Sequence, residues 1–186
     1  MEIRAEARAL GGTRFHRESE RIGRTGDWGV AFLYERGRRN DETCAACPVT
    51  TRGIETHRSV RTMAGLIYFS RLRGHTHIDP HRGPTNLRVR CHLALEVPEG
   101  DCAIRVGDET RRWEEGRCLV FDDYFDHEAW NHTDEDRLVL IVDLWHPGLS
   151  DTEVMLLEGL QGYAHVHAER LARYWSANAG AARNGS

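Results

Sequence analysis

The stretch HRGPTNLRVRCH, residues 81–92, decides the fold prediction for this chain. It begins with a histidine and a Gly-Pro break, and it then alternates, with Arg88, Arg90 and His92 on one side and apolar or thiol side chains on the other. Alternation of this kind predicts a half-buried strand. Because arginine forks match the two oxygens of a carboxylate, we expect the polar face to line a pocket for a small dicarboxylate beside a metal ion.

Further strand signals lie on both sides of this stretch. Apolar or alternating runs bounded by turn residues predict strands at Trp28–Tyr34, Ala64–Leu72, Arg88–Val97, Cys102–Val106, Thr110–Trp113, Cys118–Phe121 and Arg137–Trp145. The capping-box pattern from Ser150 to Glu153 predicts a helix that runs to about Trp175. Many short strands followed by one helix predict an all-β core of the jelly-roll type with a C-terminal helix.

Three segments are expected. Residues 1–26 form a lead-in that is either a helix or a loose strand, residues 27–178 form one β domain with its C-terminal helix, and residues 179–186 form a disordered tail. The histidine-rich segment at 74–84 contains glycine and proline, and it predicts a bent loop or a strand edge instead of a helix.

Composition limits the function classes. The formal net charge of −4 gives no reason to expect nucleic acid or an anionic membrane as a partner. Every basic residue is arginine, so Schiff-base chemistry on lysine is excluded. The sequence shows no signal peptide, and no apolar run approaches the roughly 20 residues needed to span a bilayer. Five scattered cysteines suit a reducing cytoplasm better than a disulfide framework.

One cysteine pair has a spacing that suggests chemistry. Cys44 and Cys47 form a C-x-x-C pair in what reads as a Pro/Thr loop. A structural zinc site needs a second pair at suitable spacing, and the sequence has none. Two loop thiols or a local disulfide are therefore favoured over a metal or redox site.

Two histidines are candidates for a shared metal ion. His81 precedes the alternating strand, and His127 lies 46 residues later in the segment FDDYFDHEAW, read as a loop after the strand at 118–121. Neighbouring strands of a roll bring such residues together, and imidazoles bind iron, zinc, copper or nickel. With eleven histidines in the chain, the pattern alone equally allows two ordinary surface histidines.

The chain resembles the aspartyl/asparaginyl β-hydroxylase family of Fe(II)- and 2-oxoglutarate-dependent dioxygenases. The resemblance rests on LYERGRRNDETC (33–44), on the long segment from Pro80 to Trp130, and on RLVLIVDLWHP (137–147). It covers about residues 28–150. It implies the double-stranded β-helix fold, a relative of the jelly roll, and this agrees with the strand prediction.

The resemblance implies an iron site with two protein ligands. Matched residue by residue, the family's iron-binding histidines correspond to His81 and His127. Many 2-oxoglutarate oxygenases have a carboxylate ligand two residues after the first histidine, but this family has glycine there, and here it is Gly83. Asp123 corresponds to an aspartate close to the metal, where it would act on metal-bound water.

The resemblance also assigns the co-substrate contacts. The distal carboxylate of 2-oxoglutarate would meet Arg137, helped by Ser70, and the metal-chelating end would lie by Arg90 and His92. Arg88 matches a residue that contacts the acidic side chain of the substrate. For Arg137 the alternative is a surface salt bridge with an acidic residue at 134–136.

The implied reaction is hydroxylation. One atom of O2 enters an unactivated C–H bond, the other enters succinate, and CO2 leaves. Tyr68 stands where the family's animal enzyme has a lysine that helps hold the substrate carboxylate, so we expect a tailoring enzyme for an aspartyl/asparaginyl-type or related amino acid that is free, carrier-bound or peptide-borne.

Two rival functions stay open on the sequence. The first is a cupin-type metalloenzyme that uses His75, His77 and His81 without 2-oxoglutarate. The second is a non-catalytic binding protein on the same fold, because a fold does not fix function.

Overall fold

A computed structural model describes residues 2–11, 14–17 and 23–179 of the chain. The chain divides into two compact units that meet between Gly148 and Leu149. The strands described in the first unit are β1 His16–Arg17, β2 Gly23–Thr25, β3 Trp28–Glu35, β4 Arg38–Arg39, β5 Leu66–Leu72, β6 Thr76–His81, β7 Arg88–Glu96, β8 Cys102–Val106, β9 Glu109–Arg111, β10 Cys118–Phe121, β11 His127–Asn131 and β12 Arg137–Trp145. Its helices are α1 Glu2–Ala9, α2 Asp41–Ala46 and α3 Pro48–Thr56.

The strands form two antiparallel sheets. The larger sheet has the order β1-β3-β5-β12-β7-β10, with β4 paired to β3, and the smaller sheet has the order β2-β6-β11-β8-β9. Within the eight strands from β5 to β12, the chain passes repeatedly from one sheet to the other, which is the winding of a double-stranded β-helix. The predicted jelly-roll class is therefore confirmed.

The larger sheet is buried on both faces. Its inner face joins a core with side chains of the smaller sheet, including Ile78, Ile104 and Val139. Its outer face packs against α1, α2 and α3 through residues such as Leu33 and Phe69. Burial on both faces explains why β12 reads as a nearly continuous apolar run instead of an alternating one.

The polar face of β7 points into the roll. Arg88, Arg90 and His92 are all buried, and they are less exposed than Val89 and Leu93 on the opposite face. The burial of these three side chains agrees with the expectation that they face the interior of the roll. In β12 the same inner face carries Arg137 and Asp143, and both are fully buried.

The predicted loop around Cys44 and Cys47 is wrong. Cys44 lies in α2, and Cys47 separates α2 from α3. The side chain of Asn40 caps α2 by accepting a hydrogen bond from the Thr43 amide at 3.0 Å, and Pro48 occupies the first turn of α3. Both thiols are free and buried, and burial raises the pKa of each, to about 12 for Cys47. They are packing residues of the outer core.

Each end of the described chain contains a helix. The lead-in contains a helix, α1, and short strands, while residues 1, 12, 13 and 18–22 lie outside the described residues. In the second unit, helix α4 spans Asp151–Ala179, and Ser150 and Glu153 form the predicted capping box. Most of the expected tail, residues 180–186, lies outside the described part of the chain. Among the described helices, none combines the length and apolar character needed to span a membrane.

Candidate active site

His81 and His127 face each other inside the roll. They are Cα partners on the neighbouring antiparallel strands β6 and β11 of the smaller sheet. Their ring centroids lie 4.1 Å apart. His127 is the first residue of a strand, so its predicted place in a loop is wrong. The pairing of β6 with β11 is what brings the two imidazoles together.

A β-bulge in β6 turns His81 inward. Ala129 pairs with Ile78 and His127 pairs with His81, so three steps along β6 oppose two steps along β11. The extra residue shifts the alternation, and bulges next to active sites commonly re-aim a side chain in this way. His77 precedes the bulge and faces outward beside Trp130. The cluster of His75, His77 and His81 required by the cupin-type rival therefore does not form.

Hydrogen bonds orient both rings for metal binding. Nδ1 of His81 bonds the carbonyl oxygen of Asp79 at 2.8 Å, and Nδ1 of His127 bonds that of Phe125 at 2.9 Å. A carbonyl oxygen only accepts, so Nδ1 carries the proton and Nε2 keeps its lone pair. Burial, and then the neighbouring His81, lower the pKa of His127 to about 4. His127 is therefore neutral at pH 7, as a ligand has to be.

Gly83 leaves no space for a third protein ligand at its position. A Cβ atom there would lie 2.5 Å from Oδ2 of Asp123, and the Gly83 amide donates to the Asp123 carbonyl oxygen at 2.6 Å. Within the described residues, no group of three or more histidine, cysteine, aspartate or glutamate side chains is placed to hold a metal ion. The donor set thus fits a metal that takes two imidazoles and fills its other positions with exogenous oxygen ligands.

Arg137 is a buried cation without a carboxylate partner among the described residues. Its side chain is 1% exposed, its Nη2 donates to Oγ of Ser70 at 3.4 Å, and its guanidinium lies 4.7 Å from the ring centroid of Trp113. Its Nε has no hydrogen-bond partner there, and burial lowers the pKa of Arg137 to about 10. Within the described residues, Arg137 forms no salt bridge with an acidic residue at 134–136, which was the alternative. A buried unpaired charge is costly, so this group is suited to an incoming anion.

His92 presents a second unpaired donor. Its Nδ1 accepts a hydrogen bond from Nε1 of Trp113 at 3.2 Å, so in the neutral ring the proton lies on Nε2. That Nε2 is buried and has no partner among the described residues. Burial, with Arg137 and Arg90 nearby, keeps the pKa of His92 well below its usual range. The ring is therefore a neutral N–H donor at pH 7.

These groups share one space, which we call the inner cavity. It is lined by both metal-candidate histidines and by His92, Arg137, Ser70 and Arg90, among other residues. A cleft of about 240 Å³ that opens to the surface, the outer cleft, shares Trp28, Tyr68, Arg90, His81 and His127 with it. The two imidazoles thus line both the inner cavity and the outer cleft.

A buried charge cluster forms the wall between β7 and β12. Arg90 donates to Oδ1 and Oδ2 of Asp143 at 2.9 and 3.2 Å, and Arg88 also donates to Asp143. Asp123 accepts from Nη2 of Arg88 at 2.9 Å and lies 3.4 Å from Nη2 of Arg90. Burial raises the pKa of the Asp123 carboxyl, and the two arginines oppose that rise. Two cations and two carboxylates balance each other here.

Asp143 is the member of this cluster that the sequence interpretation missed. It shares the inner face of β12 with Arg137. The register of the sheet pairs it with Arg90 on β7, and its Oδ2 also accepts the Leu66 amide at 2.8 Å. An acidic residue on the inner face of an apolar strand was the available signal, since a buried carboxylate needs a cation.

Comparisons with known proteins show what this chain is similar to. The family model described as aspartyl/asparaginyl beta-hydroxylase matches residues 1–147. An aspartyl/asparaginyl beta-hydroxylase from Mus musculus is 42% identical over 134 residues, which are 72% of this chain and 18% of that protein. Aspartate beta-hydroxylase domain-containing protein 2 from Homo sapiens is 41% identical over 142 residues, 72% of this chain and 37% of its own length. The chain thus spans well under half the length of these curated relatives.

One solved structure to which this chain is similar is a protein from Thermotoga maritima. A predicted oxalate decarboxylase from Thermotoga maritima aligns with a TM-score of 0.46 and 13% identity, over 71% of this chain and 92% of that one.

Proposed function

The chain belongs to the aspartyl/asparaginyl β-hydroxylase family, and from this membership we propose that it is an Fe(II)- and 2-oxoglutarate-dependent oxygenase that hydroxylates an amino-acid-derived substrate. One observation carries the proposal. A buried guanidinium, Arg137, lies in the same cavity as the facing imidazoles of His81 and His127 and has no carboxylate partner in the described chain. A dicarboxylate that also binds the metal would satisfy both features.

His81 and His127 would hold the iron. Their Nε2 lone pairs are available, and Gly83 leaves the position of the usual third ligand without a side chain. When bound, Fe(II) with 2-oxoglutarate and O2 supplies the oxidation, which puts one oxygen atom into a substrate C–H bond and yields succinate and CO2.

Four residues would orient the co-substrate. Arg137 and Ser70 would bind its distal carboxylate, because this end of the cavity has the unpaired guanidinium. The Nε2–H of His92 would donate to the 2-oxo acid end, and Arg90 would lie beside it. Both guanidiniums are buried, so each hydrogen bond to a carboxylate would be charge-assisted and protected from water.

Arg88 is the proposed contact for an acidic substrate group. It lines the outer cleft, yet its Nη1 and Nη2 atoms already bond Asp143 and Asp123. Its Nε has no partner within the described residues, and a substrate oxygen would have to approach there or compete with Asp123. Asp123 would in turn accept a hydrogen bond from metal-bound water at its Oδ1, which has no partner within the described residues.

The outer cleft favours a compact substrate. Its lining mixes aromatic and apolar side chains, such as Phe32 and Met63, with charged ones, such as Glu35 and Arg82. We propose a free, carrier-bound or peptide-borne amino acid of the aspartyl/asparaginyl type, and a tailoring role. The five free thiols suit a reducing compartment, and we propose the cytoplasm.

The decisive experiment compares Arg137→Gln with the wild type in ligand binding. With Mn²⁺ present, 2-oxoglutarate at about 100 times its Kd should raise the wild-type Tm by about 5–10 °C. In Arg137→Gln the affinity for 2-oxoglutarate should fall about 10- to 100-fold, because one charge-assisted contact contributes about 1.5–3 kcal/mol. Pyruvate, a 2-oxo acid without a distal carboxylate, should bind both proteins equally.

Arg90→Gln is the matched control for stability. Arg90 pairs with buried Asp143, so its loss should cost about 3–5 kcal/mol of unfolding free energy. Arg137 has no such partner within the described residues, so Arg137→Gln should leave the ligand-free protein about as stable as the wild type. An unchanged response of Arg137→Gln to 2-oxoglutarate would refute the assignment. Failure of the wild type to release succinate from 2-oxoglutarate with Fe(II) and O2 would favour the binding-protein rival.

A further inference from the structure

The outer face of the smaller sheet carries a second pair of facing imidazoles. His77 on β6 and His132, which follows β11, lie with their ring centroids 5.6 Å apart. His77 is the Cα partner of Trp130, and their neighbours Ile78 and Ala129 pack into the core. The pair therefore points away from the roll, opposite to the inner cavity.

Carboxylates fix the proton on one nitrogen of each ring. Oδ2 of Asp101 lies 2.8 Å from Nδ1 of His132, and Oε2 of Glu128 lies 2.9 Å from Nε2 of His77. Each carboxylate is itself held, since Trp130 donates its indole N–H to Asp101 at 2.6 Å and Arg105 donates to Glu128 at 2.5 Å. An ionised carboxylate only accepts, so the protons lie on Nδ1 of His132 and on Nε2 of His77.

The remaining two nitrogens face each other. Nδ1 of His77 and Nε2 of His132 are 3.4 Å apart. Because each ring donates from its other nitrogen, these two can approach only with a cation between or beside them, either a shared proton or a metal ion. Two imidazole nitrogens at about 2.0–2.1 Å from a tetrahedral zinc ion are separated by about 3.3–3.4 Å, which is the distance found here.

We propose that His77 and His132 form a second metal site, which takes a divalent transition-metal ion of the zinc type, with water in the remaining positions. Both rings have the arrangement common to metal-bound histidines, in which the second nitrogen donates to a carboxylate. Their side chains are 20% and 45% exposed, so an ion and its waters have access. Stacking of both rings on Trp130 restrains their planes.

This site is independent of the proposed oxygenase chemistry. It uses neither His81 nor His127, and it lies on the opposite face of the sheet. No third histidine, cysteine or carboxylate of the described chain is placed to join it, so we expect a water-accessible ion that exchanges with solvent. Such a site suits regulation by available zinc better than a permanent structural role.

The test is the stoichiometry of Zn²⁺ binding to the full chain, measured by titration calorimetry. His132→Asn should bind one Zn²⁺ ion fewer than the wild type. His75→Asn is the matched control, because His75 is also an exposed histidine bonded to an aspartate, Asp134, but it has no facing imidazole. Its stoichiometry should equal that of the wild type. Because only differences between proteins are compared, the result does not depend on whether the inner histidines bind metal.

A second readout identifies the atoms. In ¹⁵N spectra of the imidazoles, Zn²⁺ should shift Nδ1 of His77 and Nε2 of His132 while their other nitrogens keep their protons. Circular dichroism and the Tm establish that His132→Asn is folded. Equal Zn²⁺ stoichiometry in the wild type and His132→Asn would overturn the proposal. So would spectra in which the facing nitrogens share a proton and do not respond to Zn²⁺.

Discussion

Gly83 has no room for a side chain, and this limits the inner site to two histidines. A Cβ atom would lie 2.5 Å from Oδ2 of Asp123, which is buried and bonded to Arg88. Gly83→Ala should therefore lower the unfolding free energy by about 1–3 kcal/mol through overpacking. It should also weaken Mn²⁺ binding, because Asp123 and the chain next to His81 have to move.

Gly53→Ala provides the comparison for that substitution. Gly53 lies within α3, where an added Cβ would meet nothing within 4 Å. Alanine in a helix should stabilise the protein by about 0.5–1 kcal/mol and leave metal binding unchanged. Urea unfolding and Mn²⁺ titration of both variants check the pair, and a Gly83→Ala protein as stable as Gly53→Ala would contradict the packing argument.

The depressed pKa of His127 predicts a pH dependence of stability in the metal-free protein. The folded-state pKa is about 4 and the ordinary value is about 6.5, so between these pH values the unfolded chain binds more protons. The free energy of unfolding should have its full value above pH 6.5 and should decrease as the pH falls toward 4. The titration of His127 alone should account for a loss of about 3 kcal/mol.

Urea unfolding of the wild type and His127→Asn at several pH values measures the contribution of His127 as the difference between the two proteins. His127→Asn should show a smaller loss of stability between pH 6.5 and 4 than the wild type, because other titrating groups remain in both proteins. His57→Asn, which changes an exposed histidine, should follow the wild type. Parallel pH profiles for His127→Asn and the wild type would show that His127 does not titrate as its burial requires.

For single residues, the sequence could predict which face of a strand a side chain occupies, but not which residue it forms an ion pair with. The alternation of β7 predicted an inward position for Arg90, whereas only the family resemblance gave Arg137 an inner position, and both side chains are buried. Neither signal could tell that Arg90 is neutralised by Asp143 while Arg137 has no carboxylate beside it among the described residues, because that difference depends on the register between the two strands. The register describes how two strands pair, so it cannot be read from the sequence of one strand alone.

At the scale of elements, the bulge in β6 determines which histidine faces the metal site. Deletion of Pro80, which lies inside the bulge, should restore regular pairing between β6 and β11 and leave His81 two residues after the inward-facing Ile78, so that His81 still faces inward opposite His127. The variant should therefore keep Mn²⁺ binding and the 2-oxoglutarate-dependent rise in Tm. It should keep its β-sheet circular dichroism, because Pro80 is exposed and donates no backbone hydrogen bond.

The control for the deletion is Pro80→Ala, which keeps the residue count and therefore the bulge. It should bind Mn²⁺ as the wild type does. If the deletion variant lost Mn²⁺ binding while Pro80→Ala kept it, the site would depend on the bulge itself and not only on the inward direction of His81.

Elements with a repeated pattern were predictable and short polar ones were not. The apolar runs of β5 and β12 and the alternation of β7 gave their strands correctly within a few residues. Strand β11 was read as a loop because its sequence, HEAWN, has no apolar alternation, as its inward positions hold His127, Ala129 and Asn131. Helix α2 was missed because it is only six residues long and follows a charged turn.

At the scale of the whole molecule, the candidate site exists only when the two sheets close on each other. The smaller sheet supplies the imidazoles of His81 and His127, whereas the larger sheet supplies Ser70, His92 and Arg137. Neither sheet alone brings a metal ligand next to the anion pocket. The sequence could therefore predict the roll and the presence of a pocket, but not which strands of the two sheets enclose that pocket.

All of these residues lie within the unit that ends at Gly148, and the family match ends at residue 147. A chain truncated after Gly148 should therefore unfold cooperatively and retain the rise in Tm that Mn²⁺ and 2-oxoglutarate produce in the full chain, because ligand stabilisation depends only on the affinity of the folded state. The same truncation carrying Arg137→Gln should lose that rise, which ties the response to the inner cavity. A truncated chain that folds but gives no response would mean that residues 149–186 contribute to the site. Comparison of the Tm shifts of the full, truncated and truncated Arg137→Gln chains decides between these outcomes.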